Sequence, residues 1–237
     1  MLSIIVPAYN ESSRLPETLL QIRRHFDARP ESYEAIVIDD GSEDGTAQYV
    51  AKLGREWRQL RLISLPHRRG KGWAVRAGML AARGELRLFT DSDLSTPLEE
   101  YQRLRERIGG NCAVAIASRA VAGSRLEARQ PIARELMGRL YNRMLQALAL
   151  PGLRDTQCGF KLFTEDAAVA CFRPLRTPGF GFDAEVLYIA YHRGYSIAEV
   201  PVRWNHVEGS KVSMLNGLHA FGELVEIRIN SVTGKYR

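Results

Sequence analysis

Sulfur is scarce in this sequence. Its 237 residues hold three cysteines, Cys112, Cys158 and Cys171, with no pair at CxxC spacing. Scattered thiols in odd number make no disulfide framework, and they fit a reducing, cytosolic setting. Long apolar runs are missing too: none approaches the roughly 18 residues that a membrane-spanning helix requires. No charged stretch followed by a long apolar one opens the chain, because Leu2–Val6 is of strand length and stops at Pro7. If the protein works at a membrane, the expectation is that it visits the surface without crossing it. Repeats, low-complexity tracts and linkers are also lacking, so residues 1–237 read as one domain.

What is present describes a globular protein. Hydrophobic residues make up 45% of the chain, enough for a substantial core, and a charged fraction of 25% is ordinary. The net charge of +6 suits anionic partners such as phosphates, acidic lipid headgroups or nucleic acid, although many enzymes are mildly basic for no functional reason. No aromatic-flanked basic module is found, which argues against nucleic acid.

Short apolar runs at Leu2–Val6, Ala35–Ile38, Leu60–Leu65, Leu86–Phe89 and Ala113–Ala117 read as strands. Between them Pro16–Phe26, Gly45–Arg58, Gly72–Ala82 and Pro97–Ile108 read as helices, with Ser42 and Thr96 as capping residues and Pro16 and Pro97 in first turns. This alternation predicts an α/β fold with a mainly parallel, Rossmann-like sheet flanked by helices. The second half is less regular: helices are expected over Pro131–Leu150 and Asp183–Arg193, and a strand over Ile197–Val202. In the last segment Met214, Leu218, Phe221, Val225 and Ile229 recur at helical spacing, as a helix packed on the core would have them. The basic flank of Arg228, Lys235 and Arg237 also suits a helix lying on a membrane.

Ligands of open α/β sheets bind beyond the carboxyl ends of the strands. There the sequence has Pro7-Ala8-Tyr9-Asn10-Glu11, then Asp39-Asp40-Gly41-Ser42, then Asp91-Ser92-Asp93, then Ser118-Arg119. Asp91 and Asp93, two apart in extended chain, can face one cation, and magnesium is commonly held by one or two carboxylates with phosphates and water. Asp also starts turns, but after Leu-Phe-Thr at a strand end the metal reading is preferred. One of Asp39 and Asp40 serves the turn, and the other is left to accept a hydrogen bond from a base. In Arg68-Arg69-Gly70-Lys71-Gly72 the glycines would let backbone approach phosphate while Lys71 supplies charge. The stretch is not a Walker A loop, and no G-x-G-x-x-G follows the first strand.

Taken together, these motifs resemble family 2 glycosyltransferases of the GT-A fold. Asp155-Thr156-Gln157-Cys158-Gly159-Phe160-Lys161, Phe182-Asp183-x-Glu185 and Glu208-Gly209-Ser210-Lys211 narrow the resemblance to the dolichyl-phosphate glucosyltransferase and dolichol-phosphate mannose synthase branch. The resemblance implies that Pro7, Tyr9, Glu11 and Asp39 hold base and ribose, with Lys71 nearby. It implies that Asp91 and Asp93 meet the pyrophosphate through Mg2+ or Mn2+, with Ser95 adding an oxygen. Arg119 and Arg134 would bind the lipid phosphate, unless they belong to a solvated basic face with Arg125, Arg129, Arg139 and Arg143. Asp155, Gln157 and Lys161 would line the sugar or acceptor side, and Lys211 would close over phosphate.

On this resemblance, residues 1–118 form the nucleotide-sugar-binding half and residues 119–237 the acceptor-binding half. The expected reaction is inverting transfer of a sugar, UDP-glucose being the favoured donor and GDP-mannose the alternative, to a polyprenyl phosphate. A sugar hydroxyl in polysaccharide synthesis is the other acceptor class. A phosphate monoester, with a second pKa of about 6, is already largely dianionic and needs arginines more than a base. A hydroxyl needs a general base, for which Asp183 and Glu185 are candidates, although both also suit a helix N-terminus. Relatives in this branch often carry hydrophobic anchors that are not found here, so the expectation is either peripheral docking on the cytoplasmic membrane face, with a membrane protein as partner, or an acceptor that is not a long lipid.

Overall fold

The computed structural model describes residues 1–126, 150, 152–207 and 214–236, and the side chains of the last helix from residue 222 onward. The expected helix over Pro131–Leu150 and the residues Arg129, Arg134, Arg139, Arg143, Glu208, Gly209, Ser210 and Lys211 lie outside them, Leu150 excepted.

A seven-stranded sheet has the order β3-β2-β1-β4-β7-β5-β8, with β1 Leu2–Ala8, β2 Tyr33–Asp39, β3 Leu60–Ser64, β4 Leu86–Thr90, β5 Cys112–Ser118, β7 Phe160–Thr164 and β8 Ser196–Pro201. Two short strands, β6 Arg125–Leu126 and β9 Arg203–Trp204, pair separately. All neighbours in the large sheet are parallel except β7, which is antiparallel to both β4 and β5. The helices are α1 Leu15–Asp27, α2 Thr46–Leu53, α3 Lys71–Ala81, α4 Tyr101–Arg105, α5 Glu165–Phe172, α6 Phe182–His192 and α7 Met214–Val232.

The central strands are apolar throughout because both faces are covered. Ile5 of β1 and Ile36 and Ile38 of β2 join one core with Ala74 and Met79 of α3 and Phe182 and Val186 of α6. Leu2, Ile4 and Val6, with Ala35 and Val37, join the other core with Leu19 and Phe26 of α1 and Tyr101 of α4. Each such Ile or Leu, fully buried, contributes about 1.5–3 kcal/mol of transfer free energy. This is the two-sided burial that a mainly parallel sheet requires.

Several expectations need correction. The helix expected to run to Arg58 ends at Leu53, and Pro97–Ile108 is broken into a 3-10 turn, Leu98–Glu100, and α4. Ser42 does not cap α2, whose N-cap is Gly45; its hydroxyl instead accepts the Asn10 N–H at 2.9 Å. Thr96 caps nothing either, its hydroxyl lying 3.5 Å from Cys158 Sγ. Among the described side chains of α7, Leu224 and Ile227 are buried, while Val225 and Ile229, the two described members of the stripe read from the sequence, are exposed. Strand β7 and helix α5 were not expected. Thr164 starts α5, its hydroxyl accepting the Ala167 N–H, with Glu165 and Asp166 in the first turn.

Candidate active site

A cleft of about 340 Å³ opens at the carboxyl edge of β1, β2 and β4. Pro7, Tyr9, Glu11, Lys71, Asp91 and Asp93, six of the residues picked from the sequence, form part of its wall. The loops that carry them are stitched together. Asn10 adopts a left-handed conformation, φ 51°, which asparagine tolerates, and its Oδ1 accepts the Glu43 N–H at 2.9 Å. The Glu11 N–H is donated to Thr46 Oγ1, and the Glu11 carboxylate takes the Arg14 guanidinium through bonds of 2.8 and 2.9 Å.

The Asp39–Asp40 ambiguity resolves in geometry. Asp40 is the turn residue: its two oxygens accept the Arg69 and Gly70 N–H groups at 2.7 and 2.8 Å. Among the described residues the Asp39 carboxylate accepts long bonds from Ser42 N, at 3.3 and 3.4 Å, and it is Asp40 that contributes to the cleft wall. The glycine-rich stretch does something other than cradle phosphate. The Gly70 N–H is committed to Asp40, the Gly72 N–H is donated to Pro178 O at 2.8 Å, and a Cβ on either glycine would collide with backbone of the 177–178 loop. These glycines let α3 seat against that loop, while Lys71 and Arg68 bring charge to the cleft wall.

Lys71 and Asp91 form the charged centre, with Nζ 2.7 Å from Oδ1. The ammonium also lies 5.4 to 5.9 Å from the ring centroids of Phe89, Phe180 and Phe182. Burial pulls the Lys71 pKa down, but Asp91, Asp183 and Asp93 outweigh it and hold the group above the ordinary lysine value. Burial raises Asp91, with Asp93 and Asp183 adding to it against the pull of Lys71. The Asp91 N–H is donated to Gly159 O at 3.0 Å, and a Cβ on Gly159 would run into the Asp91 carboxylate. Asp93 Oδ1 accepts the Ser95 N–H at 2.9 Å, and Ser95 is not part of the wall. Two carboxylates beside a lysine fit a hard divalent cation, whose other positions phosphate oxygens and water would fill.

Beyond the cleft, three further candidates are buried in pairs. Lys161 is 1% exposed; its ammonium meets the Asp183 carboxylate and also donates to Cys158 O at 2.6 Å. Asp183 is 2% exposed, so neither side chain lines an open sugar or acceptor surface. Asp155, 1% exposed, accepts the Arg119 guanidinium through bonds of 2.7 and 2.9 Å and is likewise withdrawn from the surface. Gln157 is half-buried and donates its N–H to Asp155 Oδ1 at 3.2 Å. Glu185 is wholly structural: its carboxylate accepts the Arg176 and Thr177 N–H groups and the Tyr236 hydroxyl.

Among the wall residues not picked as site residues are Arg14, Arg68, Phe180 and Glu223. The Arg68 guanidinium stacks 4.3 Å from the Tyr9 ring centroid. Glu223 reaches the cleft from α7 and accepts the Gly181 N–H at 2.7 Å. Arg14 could have been found from its i,i+3 spacing to Glu11; nothing in the sequence points α7 at this cleft.

The chain is 36% identical over 252 residues to the dolichyl-phosphate beta-glucosyltransferase of Homo sapiens, an alignment covering 100% of this chain and 77% of the relative. It is 32% identical to the Saccharomyces cerevisiae protein of that name, covering 100% and 76%, and 38% identical to one from Trichomonas vaginalis, covering 96% and 70%. Among solved structures, glucosyl-3-phosphoglycerate synthase of Mycobacterium tuberculosis, in complex with Mn2+, UDP-glucose and phosphoglyceric acid, superposes with a TM-score of 0.72 at 21% identity, covering 96% of this chain and 79% of that one; it supports the GT-A fold. The model for "Glycosyl transferase family 2" matches residues 3–172, and with these relatives the conclusion is plain: the chain belongs to glycosyltransferase family 2.

Proposed function

We propose that this protein transfers glucose, with inversion, from UDP-glucose to a polyprenyl phosphate in a reaction that depends on Mg2+ or Mn2+. The relatives' names support the donor sugar and the acceptor class. The observation that carries the acceptor reading is the condition of Asp183. A hydroxyl acceptor needs a base within reach of its proton. The Asp183 carboxylate is buried against Lys161, and that of Glu185 against two backbone amides and a tyrosine hydroxyl. A phosphate acceptor needs neither, only cations to orient it, and Arg119 remains partly open.

In this reading Pro7, Tyr9, Glu11 and Asp39 bind the nucleoside, joined by Arg68. Asp91 and Asp93 would hold the cation, which when bound offsets the charge developing on the leaving diphosphate. Lys71 supplies a fixed positive charge on the same group, desolvated by three phenyl rings and so more effective than in water. Arg119, with Arg134, orients the acceptor phosphate for in-line attack, and Lys211 closes over phosphate. Gln157 belongs to the acceptor side; Asp155 and Lys161 support it from beneath. Residues 1–118 form the nucleotide-sugar half and residues 119–237 the acceptor half, with Phe180 and Glu223 of the latter adding a wall to the donor cleft. No helix among the described residues is long and apolar enough to cross a membrane. In this reading the protein meets its lipid at the cytoplasmic face, peripherally or through a membrane partner.

The test is product formation by purified protein with Mg2+ or Mn2+, using UDP-glucose and GDP-mannose separately, each with and without a short polyprenyl phosphate. UDP release that depends on the lipid phosphate, with a glucolipid product, is expected. Transfer only to a sugar hydroxyl, or only from GDP-mannose, would refute the assignment.

A further inference from the structure

Arg119 is held far more rigidly than a phosphate-binding arginine at a surface needs to be. Asp155 Oδ2 accepts both its backbone N–H, at 2.9 Å, and its Nε–H, at 2.7 Å, while Oδ1 accepts from Nη2 at 2.9 Å and from the Gln157 N–H at 3.2 Å. The carboxylate is itself anchored. Its residue's N–H is donated to Glu199 Oε1 at 2.7 Å, and Glu199 Oε2 accepts the neighbouring Arg154 N–H at 2.9 Å. Glu199 is fixed in turn by β8, in register with Ile116 of β5, the strand that ends at Ser118 beside Arg119. The Trp204 ring lies 5.4 Å from the guanidinium carbon.

These contacts use one edge of the guanidinium and spare the other. Of its five N–H donors, Nε–H and one on Nη2 go to Asp155, so that among the described residues both Nη1 hydrogens and the second Nη2 hydrogen are left on the opposite fork. A quarter of the side chain is exposed, against 2% for that of Asp155. An outward Nη1/Nη2 fork matches two oxygens of a phosphate, a geometry that lysine cannot reproduce.

We propose that Asp155 is a positioning residue: it holds Arg119 so that the Nη1/Nη2 fork receives the acceptor phosphate in one orientation. This rests on the polyprenyl-phosphate reading above and assigns Asp155 a task different from lining a sugar site. Asp155 touches no substrate. It fixes the arginine that does, so the ordering of that side chain is complete before the acceptor arrives.

The test is steady-state transfer from UDP-glucose to a short polyprenyl phosphate by the wild type, Asp155→Asn, Arg119→Lys and the double variant, varying each substrate in turn. Asp155→Asn should raise the acceptor KM about ten- to a hundredfold, the effect of weakening charge-assisted hydrogen bonds, while the UDP-glucose KM changes less than about twofold. Arg119→Lys should do the same, and the double variant should add little, since both act through one fork. A merely structural role would lower kcat in proportion to folded protein and leave both KM values alone; that outcome, or an equal rise in both, overturns the proposal. If Asp155→Asn does not fold, Arg119→Lys carries the test, because it keeps the buried charge paired; an unchanged acceptor KM then overturns the proposal. Wild-type protein that transfers glucose only to hydroxyls sinks the functional reading and this role with it, whereas normal wild-type transfer with insensitive variants sinks this role alone.

Discussion

The Lys161 ammonium and the Asp183 carboxylate meet in the protein interior, beside the Phe89 ring that also lies against Lys71. Lys161 is paired in register with Phe89 of β4 and Ile116 of β5, so the ion pair sits between the strand leading to Asp91 and the strand leading to Arg119. Removing one partner leaves an uncompensated buried charge, which costs about 3–5 kcal/mol. Lys161→Met should therefore destabilise by roughly that amount in urea denaturation, and Lys161→Met with Asp183→Leu should recover most of the loss. Additive losses in the double variant would contradict the pairing.

Asp93→Asn should abolish cation-dependent turnover, by about a hundredfold or more if it removes a group stabilising the leaving diphosphate. Its contacts are with its own loop, the Ser95 N–H among them, so thermal unfolding should move by no more than about 2 °C. Full activity in this variant would remove Asp93 from the cation site.

Gly159 is needed for the space it leaves. Because a Cβ there runs into the Asp91 carboxylate, Gly159→Ala must displace that group or the loop carrying it. The expected result is a rise of about tenfold or more in the Mn2+ concentration for half-maximal activity, a misplacement effect. An unchanged Mn2+ requirement would show that Asp91 is not used where the structure has it.

Acid should weaken the sheet edge through Glu34. Burial alone would raise its pKa, but the Ser3 hydroxyl, the Arg61 guanidinium and the Arg83 N–H hold it below the ordinary value. A carboxyl with a depressed folded-state pKa contributes stability above the unfolded value of about 4.3, and loses it as the pH falls through the folded-state value. Glu34→Gln should thus be less stable than the wild type near pH 7, and the difference should shrink as the pH is lowered below about 4. A gap independent of pH in denaturant titrations would exclude this linkage.

The first half of the fold was legible because its strands are buried on both faces and write themselves as continuous Val, Ile and Leu runs. The cleft followed, since topology alone brings Pro7, Tyr9, Asp91 and Asp93 to one edge. Strand β7 escaped because Lys161 is the second of its five residues; the distant Asp183 makes that lysine a core residue, and no local pattern announces it. Asp155 and Lys161 were singled out by the resemblance and Asp183 as a candidate base; a charge looks alike in sequence whether it faces a ligand or a buried counter-charge. In α7 the helix was expected, but the described end of its stripe does not face the core. Val225 and Ile229 have the correct spacing, but Leu224 and Ile227 are the residues that meet the core.

Strand β7 also imposes an order on assembly. It is made after β5 yet lies between β4 and β5, so these two neighbours in sequence cannot join one sheet until residues 160–164 have left the ribosome. A nascent or truncated chain ending before Phe160 would hold two apolar strands with open edges at what becomes the middle of the sheet, and such edges invite pairing with other chains. The cleft draws its wall almost wholly from the first half of the molecule, but that half, expressed alone, would carry this gap with it.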